Sequence, residues 1–152
     1  MNRIIKRIGG WGAAVITTIV LAIIFQTQNV LARLNEIGAN IGLPERLSMT
    51  FYDLQHLGSL YGIFIAIALA VAFLIGGVVF RFAKIGRPVV YIFAGSVAML
   101  VMLFAMKEAF FDVHLIAGAR SGMGIGLQML AGGVGGWMFA WISQPKTKDL
   151  RE

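Results

Sequence analysis

Four stretches of this chain run for 18, 24, 19 and 22 residues without a charged side chain: Ile8 to Phe25, Leu57 to Phe80, Pro88 to Met106 and Ser121 to Ile142. A helix rises about 1.5 Å per residue, so about 20 residues cross a hydrocarbon layer of roughly 30 Å. No water reaches backbone N–H and C=O groups inside such a layer, so each stretch must satisfy its own, as a helix does. A transmembrane β-barrel needs alternating faces, whereas Ile63-Phe64-Ile65-Ala66-Ile67-Ala68-Leu69 is apolar on every face. The chain therefore reads as all-α, a polytopic integral membrane protein with a four-transmembrane-helix bundle in one membrane domain. The expected spans are about 8–28, 51–81, 88–107 and 115–143, with an outer loop at about 29–50 and a tail at 144–152.

Composition supports this class. A soluble domain is about 45–50% apolar and about 25% charged; this chain is 59% apolar and 13% charged. Disorder, a collagen repeat, a disulfide scaffold and an ordinary globular enzyme are excluded. Arg3, Lys6 and Arg7 precede the first stretch as they would a secretory signal. Its 18 residues exceed the usual apolar region of a signal, and no Ala-x-Ala site follows, so a retained helix is expected.

Lys and Arg in short loops mark the cytoplasmic side. With the amino terminus inside, the inner segments carry nine basic and two acidic residues, the outer ones four and five, or +7 against −1. Both termini are thus expected in the cytoplasm, and the chain's small size suits a bacterial inner membrane. The basic groups flank helix ends without aromatics to stack on bases, so anionic lipid is the expected partner and nucleic acid is not.

In the outer loop Leu31, Leu34, Ile37 and Ile41 recur every three or four residues among polar ones, the pattern of an amphipathic interfacial helix. Gly42-Leu43-Pro44 ends it, and Thr50 with Asp53 resembles a capping pair that starts the second helix. The segment is either a cover over the bundle or a docking surface.

Folding into a bundle brings Asp53, His56, Glu108, Asp112 and His114 to one end. Two imidazoles and several carboxylates are ligand types for Zn²⁺ or another divalent ion, although their spacing matches no ligand motif and solvated surface is the plainer interpretation. His56 and His114 also share a depth that a bis-histidine haem requires. Met99, Met102 and Met106 form a thioether stripe that suits Cu(I) or, more ordinarily, pliable packing. No resident cofactor is expected; a divalent metal or haem is the alternative.

The fourth stretch is dominated by small residues. Gly118, Gly122 and Gly126 recur every four positions, as do Gly124, Gly132 and Gly136 with Ala140, and Gly133 and Gly135 bring the total to eight. Small residues at this spacing let another helix approach closely in lipid. Gly58, Gly62, Ala66 and Ala70 form a second row that makes the second helix a candidate neighbour, and Gly95 and Ser96 make the third another. Arg120, Gly124, Gln128, Gly132 and Gly136 share one stripe. Gln128 near mid-span must face protein or water, because an unpaired amide in lipid is costly. It makes either an interhelical hydrogen bond or part of a narrow solute path entered past Arg120. Thr17 and Thr18 are expected to bond the backbone four residues earlier. Trp11, Trp137, Trp141 and Tyr91 are expected in one interfacial belt, Phe51, Tyr52 and Tyr61 in the other.

The absence of cysteine excludes thiol–disulfide chemistry, including that of four-helix quinone-linked disulfide oxidases, and the loop cysteines of claudin-like proteins are missing. No acid lies within the four stretches, unlike the small multidrug exporters, which argues against an Asp/Glu proton relay. The leading expectation is a non-enzymatic protein that acts by helix–helix association with other transmembrane helices, as an accessory or scaffolding subunit of a membrane complex or as a homo-oligomer. The alternatives are an oligomeric channel or transporter subunit with a path past Arg120 and Gln128, and an outer-face metal or enzymatic site at His56 and His114.

Overall fold

The computed structural model describes residues 3–82, 85–109 and 121–144. Its described elements are four helices, α1 (Arg3–Glu36), α2 (Leu43–Phe82), α3 (Arg87–Ala109) and α4 (Gly122–Ile142). Each is long and apolar enough to cross a membrane. They run up, down, up and down, with neighbours packed in the cyclic order α1–α2–α3–α4 and α4 packed most extensively, on α3 and α1. The start of α1 meets the end of α4, where Gly10 lies against Ile142 and Ser143. At the same end Arg87, opening α3, donates from Nη2 to Ser143 Oγ at 2.8 Å. This is the basic end: Lys6, Arg7, Arg81 and Arg87 gather here, and every described acid lies toward the other end.

Helix length divides the molecule into two parts. At about 1.5 Å per residue α3 and α4 span about 34 and 31 Å, near the thickness of a hydrocarbon layer, whereas α1 and α2 span about 51 and 60 Å. The excess lies at the acidic end, where α1 and α2 continue past the start of α4 as a helical hairpin. Local chemistry explains both its arms and its turn. Gly38 adopts φ +95°, its N–H donates to Asn35 O at 3.1 Å and that of Ala39 to Leu34 O at 3.0 Å, the Schellman closure of α1. Gly42 O then accepts from Arg46 N at 3.1 Å and opens α2, where Pro44 in the first turn has no donor to lose.

Two expectations change here. Leu31 and Leu34 do not belong to a separate interfacial helix: they continue α1, with Leu31 buried. The apolar repeat at 31–41 is locally indistinguishable from a helix lying flat, but α1 runs unbroken to Glu36 with α2 packed against it. Nor do Thr50 and Asp53 cap α2, which begins at Leu43; Thr50 Oγ1 instead donates to Arg46 O at 2.8 Å within the helix.

The core is a stack of Ala14, Ile23, Ile65, Leu69, Phe73, Met99 and Phe139 between the helices. Tyr91 and Tyr61 are buried in it. The Tyr91 ring meets Phe139 edge-on at 4.7 Å, and Phe139 stacks on Phe73 at 4.4 Å, tying α2, α3 and α4 together near the basic end. Trp137 and Trp141 remain exposed, with rings parallel at 6.3 Å, and Phe51 and Tyr52 are exposed at the hairpin. The Met99, Met102 and Met106 stripe is buried in this core as packing.

Candidate functional site

The apolar core of the bundle encloses one buried amide that ties helices together. Gln128, 1% exposed, uses both halves of its amide: Oε1 accepts from Tyr61 Oη at 2.9 Å and Nε2 donates to Ala22 O at 2.9 Å. One side chain of α4 thus ties α1 and α2, and the interhelical hydrogen bond is the role this amide fills. Because Ser121 caps α4, accepting from Gly124 N at 3.1 Å, Gln128 stands about 9 Å into the helix rather than midway along a longer span.

Around this tie α4 is packed backbone to backbone. A Cβ on Gly132 would strike the Gly95 carbonyl and Met99, one on Gly95 would strike the Gly132 carbonyl, and one on Gly136 would strike the Tyr91 carbonyl. On the α1 side, Gly135 meets the Thr18 hydroxyl and the Ala14 carbonyl. Not all expected packing glycines take part. Gly122 and Gly126 are exposed, with nothing within 4 Å of an added Cβ. Gly58 and Gly62 face Ile23 and Ile19 of α1, not α4. Gly133 and Gly135, counted among the eight glycines but placed in neither row, lie buried on the two flanks of the Gly132–Gly136 stripe. Their signal was the adjacency of the two glycine pairs, which presents small residues to two neighbours at once.

Thr18 departs from expectation. It is wholly buried and its Oγ1 has no hydrogen-bond partner among the described residues, because it is turned toward Gly135 rather than back along α1. Trp11 Nε1 is likewise buried and unpartnered.

The described acidic-end residues make separate contacts. Asp53 Oδ2 accepts from Thr27 Oγ1 at 2.7 Å and so faces α1. His56 is exposed, stacks on Tyr52 at 4.0 Å, and lies with Nδ1 3.0 Å from Tyr52 O on its own helix. Glu108 is exposed at the end of α3. Among the described residues no three His, Asp or Glu side chains converge. Asp112, His114, Gly118 and Arg120 lie outside the described residues.

The hairpin is instead held by a polar ladder. Beyond Thr27 and Asp53, Gln28 Nε2 donates to Thr50 Oγ1 at 3.4 Å, and Arg46 Nη1 donates to Gln28 Oε1 at 3.1 Å. On its outer surface Leu43, Leu47 and Phe51, one helical turn apart, are 77%, 71% and 62% exposed. Comparison with protein families, curated proteins and solved structures finds no match to this chain.

Proposed function

We propose that the protein is inserted in a membrane with its basic end in the cytoplasm and works by association, as an accessory or scaffolding subunit or as a homo-oligomer. The α1–α2 hairpin would be its docking element. The observation that carries this reading is the Leu43, Leu47 and Phe51 stripe on a hairpin that continues beyond the charge-free spans. Large apolar side chains repeated along one exposed face are what a partner helix covers. The interior favours the same class: Gln128 is engaged on both sides and α3 touches α4 at the backbone, an arrangement suited to a rigid platform.

The orientation rests on the excess of Lys and Arg at the basic end. The test is native mass after gentle extraction, for the native chain and for Leu47→Asp with Phe51→Asp. These exposed positions leave the core intact, so loss of an oligomer or of a stoichiometric second chain in the variant is the expected outcome. A native chain that is monomeric and alone, or an assembly indifferent to both substitutions, overturns the reading.

A further inference from the structure

At the acidic end α1 runs on past the start of α4, and the step between them is hollow. A groove of about 670 Å³ lies there, lined by α1 between Phe25 and Ile37 and by α4 between Ser121 and Leu127. Its chemistry changes along its length. Phe25 and Leu127 give the inner part an apolar wall. Gln128 bonds Ala22, and seven residues on from that tie, in opposite chain directions, Asn29 and Ser121 bring an amide and a hydroxyl to one level. Arg33 and then Glu36 line the outer part. Phe25, Asn29, Arg33 and Glu36 follow one another at four, four and three residues, so they share one face of α1. Thr27, which meets Asp53 of α2, lies on another.

The depth of these groups suits a lipid. From Arg7 to Arg33 α1 rises about 39 Å, close to the roughly 40–45 Å of a bilayer with its headgroups. With Arg7 among the headgroups on the basic side, Arg33 therefore reaches those of the opposite leaflet, and Glu36 stands almost a turn further out. Both side chains are exposed, and neither is engaged in a hydrogen bond or ion pair among the described residues.

We infer that this α1–α4 groove binds a zwitterionic phospholipid with a primary ammonium, of the phosphatidylethanolamine class, in the leaflet at the acidic end. One acyl chain lies along Phe25 and Leu127, the phosphate meets Arg33 and the ammonium meets Glu36. Acyl chain, ester, phosphate and ammonium succeed one another in such a lipid as apolar wall, Asn29 with Ser121, Arg33 and Glu36 do in the groove. A guanidinium pairs its N–H donors with phosphate oxygens, and an ionised carboxylate only accepts, so it matches the N–H groups of an ammonium. A trimethylammonium offers no N–H, an anionic lipid brings no cation to Glu36, and an apolar partner helix leaves both charges unmatched. The inference rests on membrane insertion but not on the stripe of Leu43, Leu47 and Phe51, none of which lines the groove, so the two fail separately.

The experiment is native mass spectrometry of the full chain in detergent with equimolar phosphatidylethanolamine, phosphatidylcholine and phosphatidylglycerol of identical acyl chains. A retained phosphatidylethanolamine adduct in excess is expected. Glu36→Gln should lower its preference over the other two about threefold, the scale of an exposed ion pair. Arg33→Gln should lower retention of all three about fivefold, as expected for one basic group at a lipid phosphate. Both positions are exposed, so the core is untouched. A photoreactive phosphatidylethanolamine should crosslink the native chain within 25–37 or 121–127, a readout that needs no variant to fold. Equal retention of the three lipids, a preference that survives Glu36→Gln, or crosslinks confined to other segments would overturn the site.

Discussion

Gly95 of α3 and Gly132 of α4 face each other reciprocally: a methyl group on either would overlap the carbonyl oxygen of the other. Two helices can lie this close only where neither carries a side chain, and the Cα–H groups then point at carbonyl oxygens. The contact sets the spacing of α3 and α4, and one turn away Gly136 repeats it against the Tyr91 carbonyl.

Glycines of one helix should therefore differ sharply. Gly95→Ala, Gly132→Ala and Gly136→Ala are each expected to cost about 1–3 kcal/mol, because backbone cannot yield as a side-chain tip does. Gly122→Ala and Gly126→Ala, with open space around the new methyl, should be neutral or stabilising by up to about 1 kcal/mol. Equilibrium unfolding in mixed detergent measures the difference, and equal effects in the two sets would refute the packing.

The Gln128 tie should appear as coupling. Tyr61→Phe and Gln128→Leu each remove the bond between them, so a double-mutant cycle is expected to give about 0.6–1.7 kcal/mol of interaction energy. Additive losses would mean that the two side chains do not depend on each other.

Thr18 makes the opposite case. Its buried hydroxyl has no partner, so Thr18→Val, which keeps the shape and removes the oxygen, should leave stability unchanged or raise it by about 1 kcal/mol. A loss larger than that in the same unfolding assay would show that the hydroxyl is hydrogen-bonded after all.

At the hairpin, Asp53→Asn weakens the charge-assisted bond from Thr27, which the sequence alone placed on a different helix without indicating contact. The groups are only partly buried, so the expected cost is about 1 kcal/mol, seen as roughly fivefold faster amide exchange across the hairpin. Exchange in α3 and α4 should not change. Uniform acceleration across all four helices would show that the hairpin does not open on its own.

Reading from residues to structure succeeded where the solvent decides. Charge-free runs must be helical in lipid whatever their neighbours, so the number and class of the helices were legible in the four runs 8–25, 57–80, 88–106 and 121–142. The glycine spacing of α4 was likewise legible as a packing surface, because close approach needs small residues wherever the partner lies. The identity of each partner was not. Gly62 meets Ile19 of α1, Gly132 meets Gly95 of α3, and Gly126 meets nothing, although all three share the same local pattern. Leu31 and Leu34 show the same limit: their repeat specifies a helix with an apolar face but not its direction, and packing of α2 against α1 extended it into the hairpin. Asp53 meets Thr27 of α1 while the His56 ring lies against Tyr52 of its own helix, contacts that depend on where α1 packs and on side-chain rotamers and that the three-residue spacing does not specify. Sequence alone thus determined the helices and their small-residue faces, which depend on local composition and the surrounding medium. Tertiary structure alone decided which faces meet, because rotation, tilt and register depend on the summed contacts of four helices and not on any one of them.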